Sequence, residues 1–242
     1  MYNHLFAPAI GRKLGIALML LLIEVSRGYA QEWTFQAGMN VSHFSFTNTS
    51  GIPLSGIKSG SGNSLGIQYH QNWVDTASLL IKSNPTAIFI NQRPGLAKLL
   101  SRFRWGLGIH LNQYNAVGDA VNTSYSYQTN YLGIMPSLQF KQKLYKGLFL
   151  LGAGHLLVSR LVQGNQWVNN RFMDLRDDVQ FNGFQSMIGY QLALTQQVNE
   201  NLQMSINYTQ SAHLAPIASQ GTNLSIQSSG LVFGIIIQPK SK

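Results

Sequence analysis

The chain has 242 residues, no cysteine and a formal net charge of +9 at pH 7, and only 10% of its residues are charged. Soluble proteins carry about 25% charged residues, so an ordinary water-facing surface is disfavoured. The lack of cysteine excludes disulfides, thiolate metal sites and a lipid-anchored lipoprotein, which needs an acceptor thiol. The basic residues are dispersed rather than interleaved with aromatics, which disfavours nucleic acid and favours anionic membrane lipid as a partner.

Residues 1–30 are predicted to be a cleaved signal peptide. Arg12 and Lys13 precede an apolar run at residues 14–23. Gly28 and Ala30 are small residues at the positions that a signal peptidase reads, which predicts Gln31 as the mature N-terminus. The apolar run is about ten residues long, against the roughly twenty of a membrane-spanning helix, so an anchor is the weaker alternative. Removing these residues deletes three basic groups and one acidic group, which leaves a domain of residues 31–242 with a net charge of +7.

Alternation of apolar and polar residues is the main structural signal, and residues 102–112 show it well. Their apolar positions are Phe103, Trp105, Leu107, Ile109 and Leu111, and their polar or small positions are Arg102, Arg104, Gly106, Gly108, His110 and Asn112. Successive side chains of a strand point to opposite faces, so this segment is predicted to be a strand with one apolar and one polar face. Eight such segments are predicted, at about residues 33–46, 64–73, 102–112, 124–143, 148–160, 183–197, 202–209 and 225–238. They indicate an all-β, antiparallel up-and-down transmembrane β-barrel integral to a bacterial outer membrane.

The connections between these segments alternate in length. Residues 145–147 and 198–201 read as short turns, whereas residues 48–63, 113–123, 161–182 and 211–224 read as longer loops. This pattern fits periplasmic turns and extracellular loops, and an even strand number places both termini on the periplasmic side. Pro136, inside the fourth strand, is expected to mark a bulge or a local bend because it cannot donate to the ladder.

The stretch at residues 74–101 is too long for an ordinary periplasmic turn. Two short apolar pieces flank Ser83-Asn84-Pro85-Thr86, which reads as a hairpin, and an amphipathic turn through Leu96, Leu99 and Leu100 follows. A periplasmic hairpin is favoured here. Two further spanning strands, which would make a ten-stranded barrel, are the alternative.

Several titratable residues are predicted to face the interior. They are His70, Arg102, Arg104 and His110. An interior guanidinium needs a hydrogen-bond partner or water, and Glu32 and Asp75 are the nearest carboxylates by topology to the two arginines. The alternative is that both arginines simply reach the aqueous rim. His70 and His110 are interpreted as members of a polar network rather than as a metal pair. The acidic cluster at residues 174–178 is interpreted as solvated charge rather than a Ca²⁺ site, because it lacks the spaced ligands and turn glycine of such loops.

No catalytic constellation is apparent. A barrel hydrolase needs a serine, a histidine and an orienting carboxylate, whereas the six histidines are scattered and no carboxylate falls within a predicted spanning core. We therefore predict a protein without enzymatic activity, metal or cofactor. The loop at residues 161–182 mixes aromatics and Met with charges, as contact surfaces do. Its candidate interaction residues are Trp167, Arg171, Phe172, Met173 and Arg176, and the alternative is that the loop, which also carries Phe181, folds over the mouth of the barrel.

Short glycine-containing motifs distributed along the chain carry a family resemblance. They are Phe-Gln-Ala-Gly-Met-Asn at residues 35–40, Tyr-Leu-Gly-Ile-Met-Pro at 131–136, Leu-Gly-Ala-Gly at 151–154, Ile-Gly-Tyr at 188–190, Asn-Tyr at 207–208 and the strand at 230–237. Their order resembles that of PorT-like outer-membrane β-barrel proteins of the Bacteroidota. The resemblance implies a barrel that is typically eight-stranded, and some members of that family serve protein secretion or gliding.

Three classes of function remain at this point. The first is a structural or interaction component of the outer membrane, such as a subunit of a larger envelope or secretion assembly, with other envelope proteins as partners. The second is a small-solute channel or transporter, and the third is a lipid-modifying enzyme. An eight-stranded interior is only wide enough to be filled by side chains, which disfavours an open pore. The side chains expected to fill it are Tyr131, Met135, Met187 and Gln191.

Overall fold

The computed structural model describes residues 31–48, 52, 56–72, 99–120, 123–219 and 222–239. Within these ranges, eight long antiparallel strands each pair with the next long strand along the chain, and the first also pairs with the last, which closes a ring. The predicted eight-stranded up-and-down barrel is therefore confirmed. The long strands are β1 (Gln31–Asn48), β2 (Ile57–Asn72), β3 (Phe103–Ala120), β4 (Thr123–Tyr145), β5 (Leu148–Val168), β7 (Phe184–Gln197), β8 (Leu202–His213) and β10 (Thr222–Ile237).

Short elements extend the ring at one end. β6 (Arg171–Asp174) folds back on β5, and β9 (Ile217–Ser219) pairs with β10. Between β6 and β7 lie a single 3₁₀ turn, Leu175–Asp177, and the four-residue helix α1, Val179–Asn182. No helix in the described part of the chain is long and apolar enough to cross a membrane.

The two faces of the wall have the polarity that the alternation predicts. On β8, Met204 and Ile206 are 55% and 56% exposed on the outer face, while Gln203 and Asn207 are 2% exposed inside. The other long strands repeat this arrangement, so a continuous apolar band surrounds a largely polar interior. Exposed apolar side chains of the band include Phe35, Met39, Leu65, Ile67, Ile109, Leu132, Ile134, Leu138, Ile188, Leu192, Leu194, Leu231, Phe233 and Ile235.

The ring has two different ends. We call the end that carries residue 31 and residue 237 the terminal rim, and the opposite end the loop rim. The apolar band begins at the terminal rim with edge-to-face ring pairs, Trp33 with Tyr69 at 5.3 Å and Tyr69 with Trp105 at 5.8 Å. Towards the loop rim it gives way to a polar collar of cross-strand hydrogen bonds, which are Asn63 to Gln113 at 3.2 Å, Asn130 to Gln163 at 3.1 Å and Tyr190 to Gln210 at 2.6 Å.

The band is tall enough to cover a membrane core. On β1 it runs from Trp33 to Val41, eight residue steps or about 27 Å along the strand. A tilt of about 40° reduces this to about 20 Å along the barrel axis, close to the apolar belt of about 25 Å found on outer-membrane barrels.

The connections correct part of the sequence-based prediction. The short turns at the terminal rim are confirmed, with β4 and β5 separated by Lys146 and Gly147 and with β7 and β8 separated by residues 198–201. The long loop predicted at residues 113–123 is wrong, because β3 continues to Ala120 and β4 begins at Thr123. Residues 57–63 and 161–168, also predicted as loop, belong to β2 and β5. These strand ends lie beyond the apolar band, where polar side chains on the outer face hide the strand periodicity.

Pro136 does not mark a bulge. Pairing of β4 with β5 stops after Ile134 opposite Val158 and resumes at Ser137 opposite His155 in the same register. The ring nitrogen of Pro136 has no hydrogen to donate, so backbone hydrogen bonds between the two strands are lost there. No extra residue is inserted, so this is not a bulge. Register shifts of β4 against β5 occur elsewhere, at Asn130/Tyr131 and Lys143/Tyr145.

The ten-stranded alternative is wrong, because β2 pairs directly with β3 from Ser64 opposite Asn112 to Asn72 opposite Arg104. The hairpin predicted around residues 83–86 lies outside the described residues, as does the signal segment 1–30. Of the predicted amphipathic turn, Leu99 and Leu100 are described and helical, and the N–H of Arg102 donates to the C=O of Leu99 at 3.1 Å.

The apolar band generates a prediction about charge on the outer wall. Ile206→Lys should destabilise the protein in phospholipid vesicles by about 2–4 kcal/mol, because it places an ammonium group within the apolar band. Gln210→Lys, on the same face of the same strand but within the polar collar, should cost about 0–1 kcal/mol. Urea unfolding of protein folded into vesicles measures both changes. Equal losses for the two variants would contradict the assignment of the outer face to lipid.

Candidate functional site

The interior of the barrel is the best-defined candidate site, and its part near the loop rim is apolar. Inward-facing side chains of six strands and the β6–β7 connection form one buried cluster there. Its members are Phe44, Phe46, Tyr114, Ala116, Tyr131, Met135, Leu157, Leu161, Leu175, Phe181, Met187, Leu224 and Ile226. Tyr131 and Met187 are fully buried, as expected for side chains that fill the interior.

Two of these side chains come from the connection that crosses the mouth. Leu175 and Phe181 are each 2% exposed, and the Phe181 ring lies 6.0 Å from that of Tyr127 and 6.2 Å from that of Phe44. Asp174 and Asp178 hold the turn and α1 that present them, because their carboxylates accept backbone N–H groups at 2.9 and 2.8 Å. This part of the loop follows the alternative that it folds over the mouth, which Phe181 plugs.

The middle of the interior is polar and nearly full. Nε2 of His110 lies 2.8 Å from Nε2 of Gln68, and Nε2 of His155 lies 2.9 Å from Oγ of Ser211. A cavity of about 40 Å³ lies between these groups. A polar space of this size accommodates one or two water molecules.

Two glycines make room for the interior histidines. A Cβ atom at Gly66 would lie 2.4 Å from Cε1 of His110, and one at Gly106 would lie 2.3 Å from Nδ1 of His70. Both distances are far inside van der Waals contact, so these two positions require glycine once the imidazoles occupy the lumen. His70 is 3% exposed, and its Nε2 lies 3.4 Å from Nε2 of Gln139.

An ion cluster closes the interior at the terminal rim. The Glu32 carboxylate, 5% exposed, accepts from the Arg104 guanidinium and lies 3.5 Å from Nζ of Lys141. The side-chain amide of Gln238 also donates to Glu32, and Arg104 donates to Oδ1 of Asn72 at 3.1 Å. The cluster therefore ties both ends of the described barrel chain to β3 and β4 across the lumen.

The predicted interior residues are thus distributed over two layers rather than gathered at one centre. Arg104 meets Glu32, one of its two predicted partners, while Asp75 lies outside the described residues. Arg102 lies in the turn before β3. In the described part of the chain, no group of three or more His, Cys, Asp or Glu side chains could hold a metal ion.

The predicted interaction loop is a hairpin that stands on the loop rim. Asn169 and Asn170, with φ values of 47° and 64°, form its tight turn, and the Trp167 and Phe172 rings meet edge to face at 5.9 Å. Phe172 is 59% and Met173 52% exposed, and Arg171 is also exposed.

Arg176 has a different role from its neighbours in the hairpin. Its guanidinium donates to Asp174, with Nη2 at 2.6 Å from Oδ2 and Nε at 2.9 Å from the same oxygen. These hydrogen bonds lower the pKa of the Asp174 carboxyl. Arg176 therefore stabilises the turn that leads to Leu175 instead of offering a free guanidinium.

Sequence reasoning missed several members of the ion cluster and of the apolar plug. Lys141 lies on the inward-facing parity of β4, and its Nζ donates to Oε1 of Gln203 at 2.9 Å, so alternation alone could have suggested it. Gln238 and Leu175 lie beyond the regular strands, where periodicity gives no direction. Their roles depend on how the chain ends and the loop return to the barrel.

The solved structures that are similar to this chain share little sequence identity with it. Neisserial surface protein A is 11% identical with a TM-score of 0.43, and the match covers 85% of this chain and 97% of that one. The outer membrane protein OprG from Pseudomonas aeruginosa is 11% identical with a TM-score of 0.42, covering 86% and 96%. Outer membrane protease OmpT from Escherichia coli is 9% identical with a TM-score of 0.36, covering 87% and 97%. No family model and no curated protein matches the chain. The fold assignment rests on the strand pairing described above.

The ion cluster generates a prediction about stability. Glu32→Gln keeps the size of the side chain but leaves Arg104 and Lys141 without a counter-charge in a poorly solvated place, which should cost about 3 kcal/mol. Asp119→Asn removes a carboxylate from the pair with Lys58, whose side chains are 70% exposed, and should cost less than about 1 kcal/mol. Urea unfolding in phospholipid vesicles compares the two. If Glu32→Gln lowered the free energy of unfolding no more than Asp119→Asn does, the ion cluster would not stabilise the barrel at this rim.

Proposed function

We propose that this protein is an integral outer-membrane β-barrel that acts as a structural or interaction component, without enzymatic activity. The observation that carries the proposal is the combination of an apolar outer band with an interior that is occupied by an apolar cluster near one rim and by an ion cluster near the other. A band of this kind is stable against lipid, and a filled interior leaves the rims as the surfaces on which the protein can act.

The orientation of the barrel follows the same reasoning. Both described ends of the chain and the two short turns lie at the terminal rim, which we assign to the periplasmic side. The hairpin of β5 and β6 then faces the cell exterior. The resemblance to PorT-like barrels of the Bacteroidota supports a role as a subunit of a larger envelope or secretion assembly, with other envelope proteins as partners.

The hairpin supplies an interaction surface on the exterior side. Trp167, Arg171, Phe172 and Met173 are a rigid cluster of the residue types that dominate protein interfaces. Their backbone is held by the pairing of β6 with β5 and by Leu175, which follows β6 and is buried in the apolar cluster at the mouth. A preformed surface of this kind loses little conformational entropy when a partner binds.

The channel alternative is supported less well. An apolar, a polar and an ionic layer follow one another along the lumen, and a cavity of about 40 Å³ lies in the polar layer. A solute would need to displace both the Phe181 plug and the Glu32 ion cluster, each held by several contacts.

The enzyme alternative rests on one pair of residues. Ser211 and His155 are within hydrogen-bond distance, as a nucleophile and a base would be. However, the other ring nitrogen of His155 has no partner among the described residues, so no carboxylate orients it, and both groups face the closed interior. Membership of the interior polar network explains the pair better.

The filled interior predicts the electrical behaviour of the protein. The purified full-length protein in planar bilayers should show no large, steady conductance, because an ion would have to pass both the apolar cluster around Phe181 and the ion cluster of Glu32. A monomeric porin measured in the same bilayers serves as the positive control. Porin-sized conductance from the purified protein would overturn the proposal in favour of a channel.

The hairpin predicts which residues contact a partner. Phe172→Ser combined with Met173→Ser should reduce co-purification of any partner from detergent-solubilised membranes several-fold, because it removes the exposed apolar surface of the hairpin. Leu214→Ser, which removes an exposed apolar side chain between β8 and β9, is the matched control. Substitutions are preferable to deleting residues 168–178, since that deletion would also remove the buried Leu175. Unchanged partners in the double variant would reject the hairpin as the contact surface.

A further inference from the structure

The charged residues are divided unevenly between the two rims. Segments at the loop rim carry four basic and four acidic residues, which are Lys58, Arg160, Arg171, Arg176, Asp119, Asp174, Asp177 and Asp178. By chain connectivity, the described segments at the terminal rim carry five basic residues and two acidic ones, which are Arg102, Arg104, Lys141, Lys143, Lys146, Glu32 and Glu200. Among the described residues, the excess of positive charge therefore lies at the terminal rim.

Several of these charges line the inner side of the mouth. The N–H of Lys141 donates to the C=O of Arg102 at 2.9 Å, so the two residues lie opposite each other on β4 and the start of β3. Lys143 lies opposite Phe149, whose ring is 4.7 Å from Nζ of Lys141. Alternate residues of a strand share a face, so Lys143 lies on the same inner face as Lys141, and Arg102 lies beside them in the turn before β3.

The mouth holds more positive charge than the barrel neutralises. Arg104 and Lys141 share a single carboxylate, that of Glu32. Arg102 and Lys143, and Lys146 in the adjoining turn, have no acidic partner among the described residues. Lys143 and Lys146 are exposed and Arg102 is half-buried, so their fields reach an approaching anion over about 8 Å at physiological salt.

We propose that the basic mouth formed by Arg102, Lys143 and Lys146 docks an acidic segment of a partner protein, with Arg102 and Lys143 as the first contacts. The proposal rests on the assignment of the protein as a membrane barrel and names a second, periplasmic surface for its interactions. A segment that carries two or more carboxylates would form charge-assisted hydrogen bonds with these groups. It would stop at the closed layer of Glu32, Arg104 and Lys141, so the docking does not lead to transport.

The direction of the side chains favours a protein segment over lipid. Phospholipid headgroups surround the outer wall of a barrel, whereas Lys141 and Lys143 face its axis. A ligand that meets these groups approaches along the axis from the aqueous side, which suits a peptide chain and does not suit a headgroup anchored in the leaflet.

Binding of a defined acidic peptide tests the proposal. The full-length protein is placed in nanodiscs of zwitterionic phosphatidylcholine, which leave both rims accessible, and titrated with a fluorescent octaglutamate peptide. We expect salt-sensitive binding, and we expect Arg102→Gln combined with Lys143→Gln to weaken it about tenfold. Lys58→Gln combined with Arg160→Gln removes the same charge from the loop rim and should leave the affinity unchanged. A polyglutamine peptide of equal length should not bind.

Each other result overturns the proposal. Absence of octaglutamate binding, or equal weakening in both double variants, would show that the mouth has no specific role. If the mouth variant instead lost retention of phosphatidylglycerol in mixed-lipid nanodiscs and kept its peptide affinity, the site would be a lipid site. Insertion into nanodiscs and the heat-dependent gel mobility of a folded barrel test the membrane assignment separately, so failure of one idea is distinguishable from failure of the other.

Discussion

The pairing of β1 with β10 is the interaction on which the other features depend. An open sheet leaves a row of backbone N–H and C=O groups unpaired at each edge, and in hydrocarbon each such group costs several kcal/mol. Closing the ring satisfies these groups within the wall and gives every strand one face towards the lumen and one towards the surroundings. Eight strands also fix the diameter, which is why side chains alone fill the interior.

Inside that wall, the interior changes character along the axis. Near the loop rim it resembles the core of a soluble domain, with aromatic rings packed around Phe181. In the middle it is a network of amide, hydroxyl and imidazole groups, and at the terminal rim it is ionic. The apolar layer depends on the packing of side chains and the ionic layer on the balance of charges. The two rims therefore differ in chemistry: among the described residues, the loop rim is neutral overall and the terminal rim is basic.

Alternation predicted the strands wherever lipid and lumen impose opposite polarities on successive residues, as for Met204, Ser205 and Ile206 on β8. It failed beyond the apolar band, where Gln113 and Asn115 lie half-buried on the outer face while Tyr114 and Ala116 are buried inside, because polar residues outside and apolar residues inside invert the expected pattern. The sequence left open whether the loop at residues 161–182 is a contact surface or folds over the mouth, because exposed and buried aromatics have the same local composition. The contact of Glu32 with Lys141, which lie 109 positions apart, depends on the register of the strands and not on any local signal.

The uneven charge has a consequence for how the chain enters a bilayer. One rim must cross the hydrocarbon during insertion, and the work of that step grows with the charge it carries. The loop rim carries as many acidic as basic residues, and two of its pairs are already matched, Lys58 with Asp119 and Arg176 with Asp174. The described residues of the terminal rim would have to take three uncompensated positive charges through the same barrier. If the proposed membrane location holds, insertion with the loop rim leading is therefore the easier route, and it would leave the basic end in the compartment from which the chain came.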